Sequence, residues 1–304
     1  MLCDEKPLSE LARIFGTPLY IYSEGTIENN IKNIHAEIKS KPVDLCYAVK
    51  ANPALSLLKI ISQLNCGFDV VSAGELKRVL TVANPKPKIV FSGVGKTVSE
   101  LDFALSSRIS CINVESISEL KKLNERAKTA NVKAPISIRI NPDIDPKTHP
   151  YISTGLRENK FGLSIKDGLE AYRLASKLKN LHIIGVDCHI GSQIVEMSPF
   201  LDATEKILEF VSNLQSLNIL IDEINLGGGL GICYKNEKPP EMNYFFSTLV
   251  NKVENWAHQN NKKTPTITFE LGRSIVANAG VLVSEVLYLK ETEYGKNFAV
   301  VDAA

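Results

Sequence analysis

An apolar run in VDLCYAVKAN (43–52) ends on a lysine, Lys50, before Asn52 and Pro53 stop it. A lysine at a strand end ordinarily keeps its ammonium in water. Held among apolar neighbours, its charged form is disfavoured, its pKa falls, and the amine becomes a nucleophile toward a carbonyl. In TFELGRS (268–274), Glu270 and Arg273 read in two ways. They form a structural ion pair, or they divide the work. In the second case Glu270 faces a cationic ring nitrogen and the Arg273 fork takes a substrate carboxylate. NLGGGLGI (225–232) follows a strand and has no side chains to block its backbone. It is a tight turn or a place where successive N–H groups face a phosphate. His189 in DCHIGSQ (187–193) shares a strand face with Asp187 and is either a satisfied core residue or a flat partner for a planar cofactor.

The elements that must position these residues recur regularly. Apolar segments at 43–49, 67–72, 88–93, 110–116, 136–141, 181–191, 222–229 and 266–272 are each followed by a stretch of helical periodicity, except the last. The clearest helices are expected at 73–83, 96–107, 117–130, 166–178, 198–217 and 241–258. About eight strand–helix pairs predict a parallel (β/α)8 barrel, with the strands covered outside by helices. A doubly wound open sheet gives the same alternation. The count, and the lack of a GxGxxG fingerprint after the first strand, favour the barrel.

In a barrel of this kind chemistry gathers at the C-terminal strand ends. Those ends carry Lys50, Asp69, Ser72, Ser92, Glu115, Arg139, Asn141, His189, Ser192, Gly227 to Gly229, Glu270 and Arg273. His35 and His258 fall on helices, and His182 lies at the opposite barrel end. The irregular stretch 141–164, with His149 in it, reads as a lid or wall of the site. PLYIYS (18–23), GVLVSEVLYLKET (280–292) and FAVVDA (298–303) alternate as antiparallel strands do, so a second, β-rich domain is expected. The expected division is 1–25 in that domain, 26–278 in the barrel, and 279–304 as the incomplete start of the β domain.

Composition excludes other classes. The net charge is +1, which gives no electrostatic case for nucleic acid or an anionic membrane. No run approaches the ~20 apolar residues of a membrane span, and MLCDEKPLSE is acidic where a secretory leader is basic. The six cysteines are scattered without a CxxC pair, so no metal or disulfide frame is expected, and a cytoplasmic setting follows.

The motifs YAVKAN (47–52), GFDVVSAGEL (67–76), FSGVGK (91–96), INVES (112–116), HPYISTGL with ENKFG (149–162), HIGSQ (189–193), LGGGLGI (226–232) and GRSIVANAG (272–280) together resemble the diaminopimelate decarboxylases. These are pyridoxal-phosphate enzymes built on an alanine-racemase-like barrel. The resemblance implies that Lys50 carries the cofactor as a Schiff base and His189 stacks on its ring. Glu270 pairs with the ring nitrogen, and Arg273 binds the substrate's distal carboxylate. The implied cofactor set is Lys50, Asp69, His189, Ser192, Gly228, Gly229, Glu270, Gly272 and Arg273. The implied reaction converts meso-2,6-diaminopimelate to L-lysine in a homodimer. Alanine-racemase relatives place an arginine where Glu270 stands, which argues against a racemase. Leu271 replaces the family's usual proline, so a looser loop is expected there. The family's proton-donating cysteine, with further arginine and tyrosine contacts, lies in a C-terminal β domain not found in these 304 residues. The alternatives are an inactive cofactor-binding fragment, or a decarboxylase of ornithine, arginine or carboxynorspermidine.

Overall fold

The computed structural model describes residues 1–146 and 154–303. Besides a two-residue antiparallel pair at Leu2–Cys3 and Lys6–Pro7, its strands are β1 Leu19–Tyr22, β2 Val43–Ala48, β3 Gly67–Val70, β4 Ile89–Phe91, β5 Cys111–Val114, β6 Ala134–Arg139, β7 Leu181–Asp187, β8 Glu223–Asn225, β9 Thr266–Leu271, β10 Gly280–Val283, β11 Val286–Lys290 and β12 Phe298–Val301. Its helices are α1 Leu8–Phe15, α2 Glu24–Ile38, α3 Leu55–Ser62, α4 Ala73–Val82, α5 Val98–Ser106, α6 Ile117–Thr129, α7 Ile165–Ala175, α8 Ser198–Ser216, α9 Met242–Gln259 and α10 Arg273–Val276. Strands β2 to β9 pair in parallel in chain order, and β9 closes onto β2 through Ile267–Val43 to Leu271–Tyr47. The expected barrel is therefore closed, and the open sheet is excluded.

The helix starts have a local cause. Ser72, Thr97, Ser116 and Ser164 each accept a hydrogen bond from the backbone N–H three residues on, at Glu75, Glu100, Glu119 and Asp167. This S/T-x-x-acid spacing satisfies N–H groups left open in a first turn and places a carboxylate at the positive helix end. Ser72 is thus a helix cap and takes no part in the site.

The strands are not uniformly apolar, as a parallel sheet covered by helices suggests. Their residues alternate. Tyr47, Phe68, Phe91, Ile112, Ile138, Val186 and Phe269 pack outward with the helices in the main core. The inner face is polar or thiol-bearing. Cys46, Val90 and Cys111 form a small central layer. At the N-terminal end Lys88 Nζ reaches Asp44 at 2.9 Å, Glu223 at 2.7 Å and Thr268 Oγ1 at 3.0 Å. That plug ties strands from opposite sides of the barrel and leaves the C-terminal end for chemistry.

The flanking strands pair antiparallel, as expected: β1 with β10 and β11 with β12. Leu271 is buried and pairs with Tyr47, so at the family's proline position the strand simply runs on. Among the described residues, no helix is long and apolar enough to cross a membrane.

Gly185 shows how tightly the strands are set. An added Cβ there meets the Glu223 carbonyl oxygen at 2.6 Å and Ser137 Oγ at 2.8 Å. Gly185→Ala is expected to cost about 1–3 kcal/mol through overpacking. A urea denaturation midpoint unchanged from the wild type would contradict that.

Candidate active site

Strand β2 ends in one tight turn, Val49–Ala51, and this turn lifts Lys50 to the barrel mouth. The Lys50 side chain is 47% exposed, and its Nζ donates to the fully buried Asp69 Oδ2 at 3.0 Å. Burial pushes the ammonium's pKa down, but the charges of Asp69 and Glu270 outweigh it, and the value stands above that of an ordinary lysine. The expectation of a depressed lysine is thus corrected for this state. The desolvation is real, but the carboxylates beneath the amine reverse its sign.

Glu270 and Arg273 do not pair with each other. Glu270 Oε1 accepts from Asn225 Nδ2 at 2.5 Å, inside the barrel. Arg273 donates from Nε to Ser192 Oγ at 3.3 Å and from Nη1 to Tyr234 Oη at 2.7 Å. Burial, and the nearby charges of Asp69 and Asp187, hold the Glu270 carboxyl well above the usual carboxylate range. The divided arrangement is the one present.

The glycine turn is only partly free for an anion. Gly227 N–H donates to Asn225 Oδ1 and Gly228 N–H donates to His189 Nδ1. Gly228 packs behind the cavity wall, where an added Cβ would overlap the Glu270 carbonyl. Gly229, at φ +105°, lines the cavity itself and would meet the Gly191 carbonyl at 2.5 Å. The bond from Gly228 leaves the His189 proton on Nε2, and burial beside Lys50 and Arg139 keeps the imidazole neutral.

Lys50, His189, Ser192, Gly229, Glu270, Gly272 and Arg273 line one cavity of about 500 Å3. Ser92, Glu115 and Asn141 lie outside it. Ser92 accepts from Asn113. Glu115 accepts from Arg139 at 3.2 Å and from the N–H groups of Gly93 and Gly162. Asn141 holds the carbonyls of Leu156 and Phe161. Arg139 lies over the Phe161 ring at 4.8 Å and donates to the His189 carbonyl. With Thr154, also bonded to that carbonyl, these contacts make the described parts of 141–164 a braced wall. His149 and most of HPYIST lie outside the described residues.

Sequence reasoning missed Tyr234, Tyr22 and Asn225. Tyr22 reaches the cavity from β1, outside the barrel strands. Asn225, two residues before the glycines on an inward strand position, was the one with a readable signal.

The site carries more negative than positive groups. Asp69, Glu115, Asp187 and Glu270 are buried around Lys50 and Arg139. One oxygen of Asp69 and one of Asp187 have no protein partner. A planar ligand bringing a cationic ring nitrogen to Glu270 fits that imbalance. A lysine at the barrel mouth, Gly229 open to the cavity and an inward glutamate are groups that a pyridoxal-phosphate enzyme uses. Residues 24–277 match the family model described as pyridoxal-dependent decarboxylase, pyridoxal binding domain.

The Vibrio cholerae diaminopimelate decarboxylase is 48% identical over 99% of this chain and 70% of its own length. The Methanocaldococcus jannaschii one is 40% identical over 97% and 68%. The crystal structure of the Helicobacter pylori diaminopimelate decarboxylase complexed with L-lysine superposes with a TM-score of 0.91 at 40% identity, covering 98% of this chain and 73% of that one. The chain belongs to the diaminopimelate decarboxylase family, whose members are pyridoxal-phosphate-dependent carboxy-lyases.

Burial, against the opposing pull of Arg139, raises the Asp187 carboxyl to about 7. An unfolded aspartate titrates near ~3.9. Between those values the folded chain holds more protons than the unfolded one, so stability is full at the acid end and falls as pH rises. Asp187→Asn is expected to flatten that fall between about pH 4 and about pH 7. Urea midpoints that decline as steeply in the variant as in the wild type would refute the assignment.

Proposed function

We propose that this protein decarboxylates meso-2,6-diaminopimelate to L-lysine in lysine biosynthesis. The observation that carries the reading is the convergence of Lys50, Glu270, His189 and Arg273 on one cavity at the C-terminal barrel mouth. Arg273 also separates the substrates. Its two recorded bonds, to Ser192 and Tyr234, leave donors for a carboxylate at the far end of the substrate. Ornithine and arginine carry a cation there and gain nothing from it.

Pyridoxal phosphate, when bound, supplies the sink for the electron pair left as CO2 departs. Lys50 is the amine placed to hold it. Lys50, held as an ammonium against Asp69 Oδ2, must give up a proton before its amine can act as a nucleophile. Glu270, oriented by Asn225, keeps a proton at the ring-nitrogen position and so strengthens the sink. His189, neutral and fixed by Gly228, covers the ring without adding charge. Ser192, Gly229 and Gly272 would hold the phosphate end, with Gly228 shaping the turn behind them. Arg273 fixes the substrate's distal carboxylate.

The same reading divides the chain into a barrel at 26–278 and a β-rich unit built from 1–25 and 279–304. The 24–277 family match and the β1–β10 pairing support it. A homodimer follows from the family resemblance. The unpaired thiols, four of them buried, fit a reducing compartment such as the cytoplasm.

Borohydride reduction after loading with pyridoxal phosphate is expected to leave a pyridoxyl adduct on the Lys50 peptide, read by mass mapping. An adduct confined to other lysines would sink the assignment. An adduct on Lys50 without CO2 release from diaminopimelate would favour an inactive cofactor-binding barrel. Glu270→Gln is expected to lower kcat by about 10²–10³ while Lys50 still takes the adduct. A kcat within twofold of the wild type would rule out the sink-strengthening role.

A further inference from the structure

Arg273 is held by a residue that lies far from it in sequence. Tyr234 Oη accepts from Nη1 at 2.7 Å, and the guanidinium carbon lies 5.8 Å from the Tyr234 ring centre. Ser192 Oγ takes the Nε proton at 3.3 Å. Two acceptors on different nitrogens fix the plane of a guanidinium, and Nη2 carries two further donors. The turn that carries the phenol is fixed from two sides. The Gln193 side chain donates to the Ile232 carbonyl at 2.6 Å and accepts from the Ile232 N–H at 3.1 Å. The Glu237 carboxylate accepts from the N–H groups of Tyr234, Lys235 and Asn236 at 3.0, 2.7 and 3.2 Å. A tyrosine that is 54% exposed is therefore carried on a pinned turn at the cavity rim, with its polar end on Arg273.

We infer that Tyr234 is the positioning residue for substrate recognition: it presents the Arg273 guanidinium to the carboxylate at the far end of the substrate. This rests on the proposed role of Arg273. A phenylalanine keeps the ring and the packing but lacks the acceptor, so Arg273 regains rotamer freedom and must order itself on binding. The loss falls only on ligands that use Arg273.

The test compares L-lysine, which keeps the distal carboxylate, with cadaverine, which has the same chain and amine end without it. Both are titrated calorimetrically into the cofactor-loaded protein. Tyr234→Phe is expected to weaken L-lysine about tenfold, as loss of one hydrogen bond to a charged group does. Cadaverine affinity, pyridoxal phosphate affinity and Tm are expected to stay as in the wild type. Equal weakening of both amines, a loss of cofactor affinity, or unchanged L-lysine affinity overturns the inference. Arg273→Met separates it from the reading beneath. If Arg273→Met leaves L-lysine binding intact, the distal-carboxylate role itself fails. If Arg273→Met weakens L-lysine and Tyr234→Phe does not, only the Tyr234 inference fails.

Discussion

The buried charge inside the barrel mouth is the constraint to which the rest of the structure answers. Buried carboxylates from β3, β7 and β9, with Glu115 just beyond β5, surround the half-exposed Lys50 and the buried Arg139. Unbalanced charge of that kind is costly, and the chain accommodates it in three ways. Lys50 stays charged against Asp69. Glu270 and Asp187 are pushed toward their neutral forms. Asn225 donates to Glu270 and Arg139 donates to Glu115.

That electrostatic state explains the chemistry better than any single residue does. A lone desolvated lysine becomes a ready nucleophile, whereas this one waits as an ammonium. A ligand with positive charge near Glu270 would ease the burial of that carboxylate. Burial, helped by Lys50 and Arg139, keeps His189 neutral. The site is poised to be completed by a cationic planar ligand, which links cofactor binding to stability.

Support for the site comes from two directions. On one side Glu115 braces the β4, β5 and β6 ends and the wall at 154–163. On the other, the turn after the glycines is clamped by Gln193 and Glu237 and carries Tyr234 to Arg273. Rigid strand ends hold Lys50, His189 and Glu270, and a pinned loop holds Arg273.

Much of this was legible in the residues. The repeat of apolar runs and helical periods narrowed the fold to a parallel sheet with crossover helices, and its count near eight favoured the barrel over an open sheet. Lys50, Glu270 and the glycines announced themselves by interrupting those runs, and the motifs carried the family. Even the inward face was written as alternation, in Cys111, Asn113 and Glu115 and again in Thr268 and Glu270. What only the tertiary structure decided was which groups meet. Whether Glu270 pairs with Arg273 or with Asn225, whether Lys50 is charged, and whether Gly228 serves an anion or His189 all depend on contacts between strands tens of residues apart. Tyr234 and Tyr22 reach the cavity from segments with no chemical signature of their own, because closure of the barrel, not sequence spacing, sets what faces its mouth.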